Sequence, residues 1–263
     1  MYEFLNLLNG KMETPLPYGS FHIIAFLIVI FAAVLLCVTA KNASDRAFRG
    51  IVFTAWVLYV LFETYKQINF SFNYNEGTPY WDYQWYAFPF QLCSSPLYVL
   101  PFVFLSRKGS GVRRAAVSFM SFYSLFAGTA VMLYPVSVFI PTIGINIQTM
   151  FWHGTQIILG CFFIVYYRRE ICFKHFAAGI PVFLILTAIA LALDLIVPNF
   201  TDETFNMFFI SPKFPSTLPV LSVIWEEFPW PVFIAVYVFG YTFAAWLVFI
   251  LARALTKGSR REA

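Results

Sequence analysis

Charged side chains are scarce in this chain: Asp, Glu, Lys and Arg together make up 11% of the 263 residues. Soluble domains usually have about a quarter charged residues and nearly half apolar ones, whereas here 60% are hydrophobic. A soluble globule of this length has no interior large enough for so much apolar surface. The composition therefore excludes an ordinary soluble protein and indicates one that uses the lipid bilayer as its solvent.

Cysteine and histidine are also few, and their positions exclude several classes of site. The four cysteines lie outside the segments expected to be extracellular, so no disulfide framework is predicted. Three His on separate apolar runs give no metal-ligand spacing, and phosphate-loop and dinucleotide motifs are missing. We therefore predict no metal, no cofactor and no nucleic-acid partner. Lys11 is the only basic residue before the first apolar run, so no cleaved signal peptide is expected.

Long apolar runs, by contrast, are abundant. A spanning helix needs about 20 mostly apolar residues, and seven runs of this kind are separated by charges, Pro or Gly. No internal repeat or low-complexity segment occurs, so we predict one transmembrane domain over residues 1–263, an all-α seven-helix bundle. The predicted spans are 19–40, 49–70, 85–106, 113–134, 148–168, 175–197 and 230–254.

The basic residues alternate between the loops. Fourteen of the 17 follow the first, third and fifth runs or lie in the tail, whereas Lys11 and Lys213 lie in the other loops and Lys66 lies inside a run. Loops rich in Lys and Arg stay in the cytoplasm. The pattern therefore predicts an N-terminus outside and a cytoplasmic C-terminus. The cytoplasmic set is Lys41, Arg46, Arg49, Arg107, Lys108, Arg113, Arg114, Arg168, Arg169, Lys174, Arg253, Lys257, Arg260 and Arg261.

Polar side chains inside the predicted spans concentrate in the outer part of the membrane. Glu63, Lys66 and Gln67 are three and four residues apart, so they share one face of the second span. Ionisable groups at such depth are costly and are usually functional or paired. We therefore predict a polar cavity that opens toward the outer leaflet. Other spans add His22, Gln91, Cys93, His153, Gln156 and Asp194 at similar depth.

Each of these residues also has a structural interpretation. Glu63 and Lys66 neutralise each other if they form a structural pair, and Asp194 is placed to cap loop amides. His22 lies near enough to the interface to be solvated, and an isolated membrane Cys usually packs as a small apolar residue. His153 is harder to explain in this way, because an imidazole inside a span needs a partner.

Prolines interrupt the third predicted span close to its cysteine. Pro96 has no amide hydrogen and leaves the carbonyl of Leu92 without its helical donor, and Pro101 does the same to Leu97. Such breaks persist in lipid where other polar groups satisfy the backbone. We therefore expect a kinked, polar-lined wall of the cavity around Cys93.

Four short motifs occur in order along most of the chain: FQLCSSPLYVLP around Cys93, MFWHGTQIILG around His153, then FNMFFISPKFP and FPWPVFI. Together they resemble the bacterial YwaF-type integral membrane proteins, a family related to animal transmembrane protein 164. The resemblance implies a multi-pass protein of the bacterial plasma membrane and an acyltransferase that moves fatty acyl chains between phospholipids through a Cys. By position, the Cys is Cys93 and its partner His is His153. Relatives place a His beside this Cys, whereas here its neighbours are Gln91 and Ser94.

Three functions remain open at this point, all with membrane lipids as partners. In the enzyme hypothesis, His153 activates Cys93 to form an acyl thioester. The oxyanion is stabilised by Gln91, Gln156 or Lys66, and Glu63 or Asp194 orients the base or binds a headgroup amine. The first alternative is non-catalytic binding or sensing of a lipid or small molecule. The second is a transporter with proton relays, although no inverted repeat supports it.

Overall fold

The computed structural model describes residues 9–75, 78–135 and 138–258. Within these ranges six helices are long and apolar enough to cross a membrane, so the chain is a mainly α-helical, multi-pass integral membrane protein. One apolar stretch, Phe173–Asn199, contains α6, α7 and a 3₁₀ turn. The helices are α1 (Ser20–Ala40), α2 (Asp45–Ser71), α3 (Ser95–Leu105), α4 (Gly111–Leu133), α5 (Ile143–Tyr166), α6 (Phe173–Ala177), α7 (Ile180–Ile196), α8 (Leu221–Glu227) and α9 (Trp230–Leu255).

Helix starts differ from the predicted ones where the first turn is polar. The second span was predicted from residue 49, but α2 begins at Asp45. Its N-cap is Ser44, whose hydroxyl accepts a hydrogen bond from the amide of Ala47 at 3.2 Å. Asp45 then pairs with Arg49 one turn later at 2.7 Å. Hydropathy misses this first turn because caps and ion pairs, not apolar residues, define it.

The third predicted span, 85–106, is not one long helix. It consists of a 3₁₀ turn at Trp85–Ala87, four non-helical residues, a second 3₁₀ turn at Leu92–Ser94 and then α3, which has only 11 residues. Pro89 and Pro96 account for the late start, because neither has an amide hydrogen for a helical bond. Helix length alone therefore supports six spans and does not confirm the seventh.

The carbonyls that the prolines leave without helical donors find other partners. The Leu92 carbonyl accepts a bond from the amide of Ser95 within the 3₁₀ turn. The Leu97 carbonyl, opposite Pro101, accepts a bond of 3.0 Å from the indole nitrogen of Trp56 on α2. Interrupted helices need such partners wherever water is excluded. The expected kink beside Cys93 is thus present, and it is tied to α2.

Helices α4 and α5 form the centre of the bundle and are mostly buried, whereas α1 and α9 are mostly exposed. Glycines allow the close packing of α5. A Cβ on Gly154 would overlap the Val29 side chain of α1, and one on Gly160 would lie 3.2 Å from the Met120 carbonyl. Met120 begins a buried π-helical turn within α4. The core therefore depends on small residues along α5.

The two ends of the bundle differ in structure. We call one the basic end, because the loops 41–44, 106–110 and 167–172 meet there, as the contacts of Arg168 with the first of these loops show. The other is the loop-rich end. It carries the antiparallel hairpin of β1 (Phe72–Asn75) and β2 (Thr78–Trp81) and the long connection from α7 to α9. The short helix α8 (Leu221–Glu227) lies within this connection.

Candidate functional site

Cys93 lies in the 3₁₀ turn that precedes α3 and packs half-buried against the main hydrophobic core. Its carbonyl accepts a hydrogen bond of 2.9 Å from Nε2 of Gln156 on α5. This bond joins the broken entry of α3 to the central helix. The turn therefore places Cys93 where α3 meets the central helix.

His153 is almost fully buried on α5, one turn before Gln156. Gln156, three residues later on α5, is the residue whose side chain contacts the Cys93 turn. Nδ1 of His153 lies 2.9 Å from the Thr149 carbonyl. A carbonyl only accepts, so Nδ1 carries the hydrogen, and Nε2 of the neutral ring is the nitrogen that can take up a proton.

The sequence prediction that Glu63, Lys66 and Gln67 share one face is confirmed. Oε1 of Glu63 lies 2.8 Å from Nζ of Lys66 and accepts a bond of 2.7 Å from Nε2 of Gln67. The Gln67 amide also donates to the Ala87 carbonyl at 2.9 Å. Within the described part of the chain, the second oxygen of Glu63, Oε2, is buried without a hydrogen-bond partner. The ion pair therefore engages only one of the two carboxylate oxygens of Glu63.

A cleft of about 320 Å³ lies between α2 and α3. Glu63 and Gln67 line it on the α2 side, Leu97 on the α3 side, and Trp81 of the hairpin covers one end. Leu97 follows Cys93 by one helical turn. We call this space the α2–α3 cleft. It brings the polar group of α2 and the start of α3 to a single opening in the side of the bundle.

Two tyrosines near Cys93 were not among the predicted site residues. The Cys93 thiol is close enough to Tyr59 of α2 and Tyr241 of α9 for electrostatic interaction, as it is to Glu63 and Lys66. The Tyr59 hydroxyl donates to the Trp152 carbonyl at 2.9 Å. A tyrosine in the middle of an apolar run is the signal that could have identified both, since a buried phenol usually finds a polar partner.

Asp194 and Gln91 have a different role from the one predicted for them. Oδ1 of Asp194 accepts a bond of 2.6 Å from the Met207 amide. The side-chain amide of Gln91 donates to the Asn206 carbonyl and accepts from the Phe208 amide, both at 2.8 Å. Both residues therefore hold backbone of one loop. For Asp194 this is the structural interpretation given above, a cap on a loop amide, and the amide is that of Met207.

That loop, residues 205–211, is a buried segment with a distorted 3₁₀ turn at Met207–Phe209, and we call it the plug. At most 1% of the surface is exposed in each of four of its residues, Phe205, Met207, Phe208 and Ile210. Phe208 and Phe209 have φ values of 57°, a left-handed conformation that is uncommon for aromatic residues. Non-helical backbone in such surroundings needs side-chain partners. Besides Gln91 and Asp194, these are Trp225 and Trp230, whose indoles donate to Ser211 and Ile210.

His22 was expected near solvent, but this interpretation is wrong. Only 3% of its surface is exposed. Nδ1 accepts a bond of 3.0 Å from the Tyr18 amide, so Nε2 carries the hydrogen and donates to the Met132 carbonyl at 2.9 Å. His22 thus fastens the start of α1 to the end of α4. It belongs to the scaffold and not to the candidate site.

The predicted residues therefore divide into two groups. Cys93, Gln156, Glu63, Lys66 and Gln67 lie at the Cys93 turn or beside the α2–α3 cleft, with His153 one turn before Gln156 on α5, whereas Gln91 and Asp194 support the plug. Among the described residues, no three His, Cys, Asp or Glu side chains lie close enough together to hold a metal ion. The first group offers a thiol, an imidazole and an ion pair, a set suited to nucleophilic chemistry.

Fold and site together define a helical integral membrane protein with a polar site inside the bundle. The family model described as the TMEM164 family matches residues 17–252, which is most of the chain. The chain belongs to the TMEM164 family. The expected relation to animal transmembrane protein 164 is thereby confirmed, and the bacterial YwaF-type label stays a prediction. Neither the curated proteins nor the solved structures give a significant match.

Proposed function

We propose that this protein is a membrane-embedded lipid acyltransferase or acyl hydrolase that works through a thioester on Cys93, with His153 as general base. One observation carries the proposal. The hydrogen bond from Gln156 to the Cys93 carbonyl holds a half-buried cysteine against α5, and residues three apart such as His153 and Gln156 share a helix face. Membership of the TMEM164 family supports it, because the resemblance to animal transmembrane protein 164 implies the same chemistry.

The reaction has two balanced steps. Nε2 of His153 takes the thiol proton as the sulfur of Cys93 attacks an acyl ester carbonyl; the C–S bond forms, the ester C–O bond breaks, and the imidazolium protonates the departing lipid alkoxide. A hydroxyl of a second lipid, or water, then attacks the thioester while His153 accepts its proton. The C–S bond breaks and the thiol is regenerated. Since burial disfavours a free thiolate, proton transfer accompanies attack.

The contacts of the polar side chains narrow the choice of oxyanion donor. The Gln91 amide is engaged by the plug and the Gln156 amide by Cys93. Lys66 has three ammonium hydrogens and one carboxylate partner, Glu63. We therefore assign stabilisation of the oxyanion to Lys66, whose ammonium group donates to the negative charge as it develops. Glu63 and Gln67 then line the cleft on the headgroup side of the substrate.

The direct test is Cys93→Ser in proteoliposomes that contain a phospholipid with one labelled acyl chain. We expect acyl exchange and release to fall by at least about 100-fold, because serine needs a stronger base than a buried imidazole. Cys161→Ser is the matched control, since Cys161 is another half-buried cysteine of the core region and lies on α5. Unchanged turnover in the Cys93 variant would sink the proposal.

We also infer that the kinked segment 85–106 crosses the membrane as a seventh span, with the N-terminus outside and the C-terminus in the cytoplasm of a bacterial cell. The alternation of basic loops supports this, as does the satisfied backbone around Pro101. Single cysteines placed at Lys11, before the first span, and at Lys257, after the last, in a cysteine-free variant test it. Labelling of both by an impermeant reagent from the same side would exclude an odd number of crossings between the two termini.

A second function is favoured by the unpartnered Oε2 of Glu63 beside the α2–α3 cleft. A buried carboxylate oxygen of this kind suits a cationic or hydrogen-bonding headgroup, and a protein that only binds or senses a lipid would use it without chemistry. In that case Glu63→Gln abolishes lipid binding, whereas Cys93→Ser leaves it intact. Acyl transfer by the wild-type protein would show that binding or sensing a lipid is not its whole function.

A further inference from the structure

The basic end contains a second, polar pocket of about 280 Å³, well separated from the Cys93 turn along the bundle. It lies where the loop after α1, the loop after α3 and the loop after α5 meet. Its walls include Lys41, Asn42, Lys108, Arg168 and Arg169. The α2–α3 cleft is lined mainly by apolar residues, whereas four of the nine residues that line this pocket are cations.

Arg168 gives the pocket a fixed wall. Its guanidinium donates to the Lys41 carbonyl at 2.9 Å, to the Asn42 side chain at 2.7 Å and to the Val165 carbonyl at 3.0 Å. These bonds fasten the first loop to the end of α5. Arginine suits this purpose because its donors are held in a rigid plane. The neighbouring cations therefore project from an ordered frame.

The other cations of the pocket are held less firmly, with Nζ of Lys108 lying over the Tyr166 ring at 5.9 Å. Lys41, Lys108 and Arg169 are exposed, and none of them belongs to the ion pairs found among the described residues. The only acid in the lining is Glu170, so four cations face one carboxylate. The C-termini of α1 and α5 each add roughly half a negative charge. The pocket remains positive after both are counted.

The surroundings favour a lipid over a soluble anion. Leu105, at the end of α3, is 72% exposed and lies three residues before Lys108. Apolar surface of α3 therefore runs directly up to the cations, which matches a headgroup with acyl chains below it. Basic pockets between spans at the cytoplasmic face bind lipid phosphates in this way. We propose that this pocket binds the phosphate headgroup of an anionic phospholipid, independently of the chemistry at Cys93.

The test uses the full-length protein in nanodiscs of phosphatidylcholine with a minor fraction of phosphatidylglycerol. Native mass spectrometry counts the anionic lipid molecules that the protein retains. The salt concentration is about 0.3 M, because interactions between exposed charges more than several ångströms apart are then screened. Lys41→Gln with Lys108→Gln removes two lining cations. We expect the amount of retained anionic lipid to fall about 25-fold, which is the effect expected from the loss of two basic side chains that contact the lipid.

The matched control is Arg46→Gln with Arg107→Gln, which removes the same charge from the first turn of α2 and from the loop after α3, at exposed residues that do not line the pocket. We expect it to retain lipid within about threefold of the wild type. Equal losses in both double variants would overturn the proposal, because they would indicate general attraction and not a site. Displacement of the lipid by millimolar inorganic phosphate would assign the pocket to a soluble anion and overturn the lipid assignment. Acyl transfer should be unchanged in either variant.

Discussion

The buried charged side chains at the two ends of the bundle differ in the partners that they contact. At the basic end, Arg113 is 1% exposed, and its guanidinium pairs with Asp45 at 2.6 Å and covers the Phe48 ring at 4.7 Å. Asp45 also pairs with Arg49. Toward the loop-rich end, Glu63 and Asp194 each use one carboxylate oxygen, and the second oxygen is buried without a partner among the described residues.

This difference separates scaffold from site. Charges that neutralise each other inside the protein stabilise an arrangement of helices, and removing one partner is expensive. Polar atoms buried without partners weaken the fold unless something else satisfies them. Among the described residues such atoms occur at both ends, since Nε and Nη1 of Arg113 also have no hydrogen-bond partner. Oε2 of Glu63 differs because its side chain lines the α2–α3 cleft, where a ligand can satisfy it. The variants below change one side of the comparison at a time.

The largest effect is expected at the basic end. Asp45→Asn leaves the buried guanidinium of Arg113 without its carboxylate, and we expect a loss of about 3 kcal/mol of unfolding free energy. Chemical unfolding in detergent micelles measures it. Asp202→Asn, which changes an exposed acid, should stay within about 0.5 kcal/mol.

A double variant tests whether the buried charge is the cause. Arg113→Met added to Asp45→Asn replaces the guanidinium with an apolar side chain, and we expect stability to return to within about 1.5 kcal/mol of the wild type. If the double variant is as unstable as Asp45→Asn alone, the loss comes from packing or from Arg49, and the ion pair is not the scaffold element described above.

The next effect is expected where α4 packs against the site. A Cβ on Gly128 would lie 2.6 Å from the His153 carbonyl and 2.7 Å from Cβ of Gln156. Gly128→Ala must therefore push α4 away from α5, with a loss of about 2 kcal/mol and a fall in acyl turnover. Gly240→Ala on α9 meets open space and should gain up to about 1 kcal/mol. Similar behaviour of the two variants would contradict the close packing.

A smaller effect is expected at the plug. Gln91→Leu removes both bonds to the loop backbone and leaves the Asn206 carbonyl and the Phe208 amide unsatisfied, at a cost of about 1–3 kcal/mol. Hydrogen exchange should rise within residues 205–211 and not in α5. Gln84→Leu is the control, because the Gln84 side chain bonds only to the adjacent Asp82. Unaltered protection of the plug would mean that its apolar side chains suffice.

Much of this architecture follows from local features of the sequence. Six spans and the shared face of Glu63, Lys66 and Gln67 depend on composition and helical spacing, both of which are readable along the chain. The kink before Pro96 follows from a missing amide hydrogen. These features need no knowledge of which helices are neighbours.

The remainder depends on contacts between distant segments. The plug is held by Gln91, 115 residues before Asn206, and no periodicity reveals such a pairing. Arg113 was assigned to a cytoplasmic loop by its charge, whereas its partner Asp45 draws it into the protein. Gln91 and Asp194 were grouped with Cys93 because their predicted depth in the membrane is similar. Depth does not specify which side of the bundle a residue faces.

The central claim is that Cys93 carries the acyl group, and intact-protein mass spectrometry after incubation with phospholipid tests it most directly. We expect an added mass of one fatty acyl chain, mapped to Cys93, removed by neutral hydroxylamine and absent from Cys93→Ser. In His153→Gln the adduct should form at least about 100-fold more slowly. Acyl transfer that proceeds with no adduct on Cys93, or with the adduct on Cys161, would contradict the account.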